Sequence, residues 1–262
     1  IWSTSPDPTL ESNQGSISAE EAGIGGFSVQ LTGLSASTTY HARAYAVNSA
    51  GVGYGASVSF FTMCEGCEPG EPLTDIDGNV YSTVRIGDQL WMAENLRTSR
   101  YADGTEIENV TDNAQWAGLS TGAWAHHNND TSNEATYGKL YNWHAVADAA
   151  GLCPAGWHVP TDAEWTQLSD YLGGESVAGG KMKATGTDYW LSPNTGATNE
   201  SGFNGLAGGS RDDDSGSFFF MGLSAYMWSS SETDAGYAWF RRLGYGISDL
   251  GRYFNSKTFG FS

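Results

Sequence analysis

Four groups of residues in this chain have the types and spacing that chemistry needs. Cys64 and Cys67 form a C-x-x-C, the spacing of half a zinc site or of a local disulfide. His126-His127, followed by Asn128-Asn-Asp130, could offer imidazole to a metal. Asp75-x-Asp77-x-Asn79 opens like a calcium loop, and Asp212-Asp-Asp214 sets three hard oxygen donors in a row. What surrounds each group decides its reading. A structural zinc site takes four N or S ligands, and no histidine or further cysteine lies close enough in sequence to complete one. Cys64 and Cys67 therefore read as a local disulfide or as inert thiols, with Cys153 left over. Adjacent residues on a strand point to opposite faces, so His126 and His127 read as solvated loop residues. The calcium loop lacks its later glycine and glutamate; Asp77-Gly78 is instead a hairpin turn, because glycine accepts the positive φ such turns demand. The three successive acids read as a solvated loop. No metal and no cofactor is expected.

Catalytic constellations do not emerge either. The sequence contains no G-x-S-x-G elbow, H-E-x-x-H or P-loop. His144 and His158 read as packed or hydrogen-bonded, and thirty acidic residues single out no pair for glycoside hydrolysis. A non-enzymatic protein is expected.

The elements that must position any site follow from periodicity and punctuation. Short strands are expected at Phe27–Leu31, at Thr39–Val47 with Tyr40, Ala42, Ala44 and Ala46 on one face, and at Ser57–Thr62. Met63 to Pro72, with two cysteines, two glycines and two prolines, reads as a linker. One helix is expected at Tyr141–Ala149, with Gly151 as its left-handed cap. A second starts at Thr161-Asp-Ala-Glu164, a capping box, and carries Trp165, Leu168, Tyr171 and Leu172 at helical spacing to Gly173-Gly174. Beyond Gly174 the pattern is of glycine- and serine-rich loops alternating with aromatic strands.

Composition narrows the function. Acids outnumber bases 30 to 12 among 262 residues, for a formal charge of −18, so phosphate backbones and anionic membrane surfaces are repelled. Nucleic-acid binding is excluded on that ground. No run approaches the ~18 apolar residues of a membrane span, and the first residue, Ile1, points to a processed or partial product. Thirty-five glycines, ten tryptophans and thirteen tyrosines describe a loop-rich, β-dominated protein with large aromatic plugs.

Two resemblances add to this. Leu34 to Gly51, running into Val58-Ser-Phe-Phe-Thr62, resembles the later strands of a fibronectin type III or immunoglobulin-like domain, which implies a core tyrosine at Tyr40 and a hairpin at Asn48–Gly51. Some sixty residues are too few for a whole sandwich, so residues 1–62 read as a partial domain, 63–72 as linker and 73–262 as a second domain. In that second domain Asp75-Ile-Asp-Gly-Asn-Val-Tyr, Gly87-Asp-Gln-Leu-Trp-Met-Ala-Glu-Asn-Leu96, Tyr137–Trp143, Cys153–Thr161 and Trp228-Ser-Ser-Ser-Glu232 occur in order. They resemble the Fibrobacter succinogenes major paralogous domain. That resemblance implies an α+β, C-type-lectin-like fold related to formylglycine-generating enzymes: two helices on a small twisted antiparallel sheet, loop-rich, after the partial all-β immunoglobulin-like sandwich. The enzymes' paired cysteines have no counterpart, since Cys153 is the only cysteine after Cys67. The family also places a cysteine-bearing strand after Gly260-Phe-Ser262, which implies a partner for Cys153.

Trp228 to Ser262 further resembles the variable region of a protein diversified by a retroelement, in which adenines of AAC codons are randomised. The resemblance implies a scaffold of Trp228–Glu232, Ala238, Trp239, Arg241, Leu243, Tyr245, Arg252, Lys257 and Gly260–Ser262. The ligand-binding residues are then Asp234, Gly236, Tyr237, Phe240, Arg242, Gly244, Gly246, Ile247, Asp249, Gly251, Tyr253, Phe254, Asn255, Thr258 and Phe259. Strand alternation agrees: Trp239, Arg241, Leu243 and Tyr245 make a sensible buried or half-buried face, whereas Phe240, Arg242, Gly244 and Gly246 are a mixture that packing would not choose. None of the fifteen is Lys, Met, Trp, Gln or Glu, the types that NNC codons cannot encode.

The resulting expectation is a ligand- or receptor-binding protein, acting in phage receptor binding or bacterial surface adhesion. Its partner would be a protein or glycan receptor on a cell surface, met by the protein alone or within a larger virion or surface assembly. Its location would be extracellular, on a phage tail or a bacterial surface. A conventional carbohydrate-binding or adhesive domain of a secreted bacterial protein is the alternative.

Overall fold

The computed structural model describes residues 1–18, 26–36, 38–63 and 65–262. Its contacts divide the chain into two compact units, Ile1–Glu65 and Gly66–Ser262.

In the first unit, β1 (Trp2–Ser3), β2 (Thr39–Ala42) and β5 (Val58–Phe61) form one antiparallel sheet in the order β1-β2-β5. β3 (Tyr45–Asn48) and β4 (Gly51–Tyr54) form a separate hairpin. Asn48 pairs with Gly51, whose φ of +134° suits glycine and closes the turn expected there. Tyr40 is buried, and its hydroxyl accepts the amide of Ser35 at 3.0 Å. The single strand expected over Thr39–Val47 is broken at Arg43-Ala44, and the two halves join different sheets. Phe27–Leu31 forms no strand, Phe27 is exposed, and no ladder pairs the segment among the described residues. A sheet of three strands and a lone hairpin are what the described residues build, in place of part of a sandwich.

The second unit begins earlier than the punctuation suggests. β6 (Cys67–Thr74) takes in the second half of the stretch read as linker and pairs with β7 (Val80–Ile86), which pairs with β8 (Gln89–Met92). Pro69 is tolerated because β6 is the outer strand and a proline nitrogen has no bond to lose there. The turn between β6 and β7 is the hairpin expected at Asp77-Gly78, with Gly78 at φ +85°. Three further small sheets follow. β9 (Glu108–Asn109), β10 (Ala123–Ala125) and β11 (Leu140–Tyr141) form one; β12 (Ser210–Arg211) and β13 (Phe218–Phe219) form another. The longest is β14 (Ser224–Glu232), β15 (Tyr237–Gly244) and β16 (Leu250–Ser256), antiparallel in that order.

Helices are short: α1 (Asn113–Ala117), α2 (Glu134–Tyr137), α3 (Trp143–Val146), α4 (Asp162–Tyr171) and α5 (Glu175–Met182). This overturns the two-helix, C-type-lectin-like α+β arrangement: about 15% of the chain is helical against 32% strand, and the helices are not two long rods on one sheet. The first expected helix is the one that shortens. Asn142 caps α3 by accepting the amide of Ala145, and the helix ends after one turn, with Ala145 packed in one cluster and Trp143 in another. Gly151 closes a later turn instead of capping it. α4 carries the expected capping box, Thr161 and Glu164 each satisfying the other's backbone amide. α5 escaped the sequence pattern because Gly179-Gly180 interrupts it; both glycines are buried where a side chain would strike backbone.

The core is plugged by tryptophans that give their indole N–H groups to backbone carbonyls: Trp143 to Ser229 at 2.8 Å, Trp228 to Tyr141 at 3.0 Å and Trp165 to Trp228 at 3.2 Å. Each bond fastens a helix or strand to another strand, so large rings hold together a unit with little regular structure.

Candidate functional site: the C-terminal sheet

Register fixes which residues share a face, because directly paired residues of an antiparallel ladder point the same way. Trp239, Arg241 and Leu243 pair with Phe254, Arg252 and Leu250 on one face; Phe240 and Arg242 pair with Tyr253 and Gly251 on the other. The alternation expected a buried first face and an exposed second. Both are partly covered instead. Phe240 is 6% exposed and sits in a cluster with Trp143, Trp228, Ala238 and Phe261, so it leaves the set of ligand-contacting residues. The reason is tertiary: α3 supplies Trp143 and the chain end supplies Phe261 to roof over that face. Gly244 is buried too, with a Cβ there meeting Ile247 at 2.9 Å. Of the face expected to be covered, Trp239 is half-buried and Tyr245, beyond the end of β15, is exposed.

The opposite face is fastened to α4. Asp162 receives Arg241 Nη1 at 2.7 Å and Arg252 Nη2 at 2.8 Å, and Arg241 is fully buried. Burial raises the Asp162 pKa, but hydrogen bonds from Arg252 and Arg241 outweigh it and hold the carboxyl below its ordinary value. Lys257 bonds Glu232 at 2.6 Å. Lys183, fully buried, donates to the carbonyls of Thr195, Gly244 and Ile247 and so anchors the turn between β15 and β16. Burial pushes its ammonium down to about 8.

The other expected site residues lie as follows. Asp234, Gly236 and Tyr237 are exposed, and Asp234 Oδ1 accepts the amides of Gly236 and Tyr237. Gly246, Ile247, Tyr253 and Phe254 are exposed; Arg242, Asp249, Gly251, Asn255, Thr258 and Phe259 are half-buried. They do not converge on one site. Tyr237 and Phe254, rings 6.0 Å apart, join Trp239 on the face of α4, whereas Arg242 and Tyr253 lie on the reverse. Beside the second group stand Phe219, Phe220 and Tyr226, which the sequence reading missed. The signal available was the run Phe218-Phe-Phe220 between Gly216 and Gly222, too short for a core strand.

The remaining candidates are structural. His126 and His127 are buried, against the expectation of solvated loops: His126 Nε2 lies 2.6 Å from Glu134, and burial pushes the His127 pKa down. Asp75 accepts the amides of Asp77 and Asn79 and the Tyr81 hydroxyl, closing its own turn. Asp212 does the same with Ser215. Among the described residues no group of three His, Cys, Asp or Glu could hold a metal. Cys67 is disulfide-bonded, Cys153 is a free thiol, and Cys64 lies outside the described residues. An aromatic cavity of about 150 Å³ is walled by Trp91, Trp157, Trp165, Trp228 and Phe261, with Cys153 at its edge. A neighbouring hollow of about 350 Å³ shares Trp91 and Trp157 and adds Gln89 and Glu164. No helix among the described residues is long and apolar enough to cross a membrane.

The comparisons give this β-rich unit a family. The model of the Fibrobacter succinogenes major domain matches residues 84–262, and the chain belongs to that family. No curated protein and no solved structure matches the chain.

Proposed function

We propose that this protein is a non-enzymatic recognition protein whose C-terminal sheet carries a surface diversified by a retroelement. It would bind a protein or glycan receptor on a cell surface, in phage receptor binding or bacterial adhesion. One observation carries the reading. Within Trp228 to Ser262 most residues assigned to the scaffold are buried or tied down, as with Trp228, Ala238, Arg241, Leu243, Lys257 and Phe261, with Tyr245 the exception, whereas Tyr237, Ile247, Tyr253 and Phe254 between them are exposed. Exposed rings offer broad, rigid contact area with little rotamer freedom to lose. Randomising such positions changes what is bound without disturbing the fold. Phe240 and Gly244 are excluded from the contacting set by their burial.

The encoding locus tests this. A near-identical repeat beside a reverse transcriptase gene is expected, differing at adenines in the codons for Tyr237, Tyr253 and Phe254 but not for Trp228, Arg241 or Phe261. A locus without such a repeat removes the diversified surface. The carbohydrate-binding alternative is favoured by the hollow between Trp91 and Trp157, where polar Gln89 and Glu164 stand beside two flat rings. Glycan binding lost in Trp157→Ala and kept in Phe254→Ala would select it.

A further inference from the structure

Phe220 holds φ at +67°, in the left-handed region that bulky side chains avoid, yet its ring is 48% exposed. The Phe220 carbonyl closes a turn by accepting the amides of Leu223 and Ser224, and strained backbone of this kind clusters at ligand-contacting sites. The Phe220 ring lies 5.8 Å from that of Phe219 and 6.1 Å from that of Tyr226. From the next strand, the Arg242 guanidinium stands 6.0 Å from the centre of the Tyr226 ring. Tyr226 and Tyr253 both contact Phe240, at 5.9 and 5.8 Å. The rings make an apolar shelf with one cation on it.

That cation meets no carboxylate and no backbone carbonyl among the described residues. In this chain the lysines and arginines are held almost without exception, by a carboxylate as in Arg97 and Lys181, or by backbone carbonyls as in Lys183 and Arg211. Among the described residues only Arg85 and Arg242 have neither, and Arg242 has one hydrogen bond, from Nε to Ser224 Oγ at 3.3 Å. In a chain of 30 acids an arginine left without one among aromatic rings has its carboxylate still to meet.

We propose that this shelf binds an acidic polypeptide segment, with a carboxylate on the Arg242 guanidinium and neighbouring apolar side chains laid on Phe220, Tyr226 and Tyr253. The inference rests on reading the C-terminal sheet as a recognition surface, and it narrows the partner. Arginine and tyrosine are the types that carry binding energy between proteins. Small ligands and sugars favour hollows, and Phe220, Arg242 and Tyr253 line none of the cavities described above. The overall charge of −18 does not decide the contact, because charges beyond about 8 Å are screened at physiological salt.

The full chain is to be applied, at physiological salt, to an array of random-sequence peptides and in parallel to a glycan array. Bound peptides are expected to be enriched in Asp or Glu beside aromatic or aliphatic residues. Arg242→Gln should weaken them about tenfold or more, and Arg85→Gln should not. Phe220→Gly should weaken them as well while leaving Tm unchanged or raised, because glycine adopts the positive φ without strain. Binding of acid-free peptides, insensitivity to Arg242→Gln, or no peptide binding at all overturns the proposal. Peptides lost in Tyr237→Ala or Phe254→Ala but kept in Arg242→Gln overturn it and leave the recognition reading standing. Glycans lost in Arg242→Gln overturn the polypeptide in favour of a sugar.

Discussion

The guanidinium of Arg252 lies 3.6 Å over the ring of Trp239, with its other edge on Asp162. The outer strand of the C-terminal sheet is thereby fastened to the start of α4 through one cation shared between a ring and a carboxylate. Residues on either side of Arg252 can then project outward from a strand that does not move with them.

Substitutions at neighbouring rings should separate the two roles. Phe240→Ala should cost about 3–5 kcal/mol, as loss of a core aromatic does, because Phe240 fills the cluster under Phe261. Tyr253→Ala and Phe254→Ala should stay within about 0.5 kcal/mol. Urea unfolding measures all three; an equal loss at Phe254 would place that ring in the core.

Asp162→Asn should cost about 3–5 kcal/mol at neutral pH, because it strands the buried charge of Arg241. Arg252→Ala, at a half-exposed pair, should cost about 1 kcal/mol or less. The Asp162 pKa is lowered in the folded state. Its contribution is therefore complete above the unfolded value of about 3.9 and disappears as pH falls through the folded one. The gap between wild type and Asp162→Asn should be widest at neutral pH and close in acid, which unfolding at both values would show.

Gly179→Ala should reverse an ordinary rule. Alanine normally stabilises a helix interior by about 1 kcal/mol over glycine. Here its Cβ would lie 2.0 Å from the Asp249 carbonyl oxygen, so backbone must shift and a loss of about 1–3 kcal/mol is expected. A melting temperature raised by the substitution would disprove the close approach of α5 to β16.

Cys153 should be a slow thiol. Burial pushes its pKa up to about 12, so almost no thiolate exists at neutral pH. A chromogenic disulfide reagent should label it slowly in the native protein and fast in urea. Labelling at equal rates in both conditions would show that it is open to solvent.

The sequence by itself determined the local devices. The capping box at Thr161 and Glu164, the hairpin at Asp77-Gly78 and the turn at Asn48–Gly51 each depend on a few adjacent residues, and each stands as the residue types require. Family membership was legible for the same reason, since blocks such as Trp228–Glu232 keep their order along the chain. Tertiary structure decided the rest. Period-two alternation in β15 states that Trp239 and Phe240 point opposite ways, but not which side is roofed; Trp143 and Phe261, distant in sequence, cover Phe240. Of the two helices expected, the one from Thr161 forms over Asp162–Tyr171, whereas the one expected over Tyr141–Ala149 is a single turn, Trp143–Val146, whose apolar residues are shared between two clusters. The shelf of Phe220, Tyr226 and Arg242 needed three segments brought together. Alternation and capping are set by chain geometry within a few residues, whereas burial is set by whatever the chain folds over them.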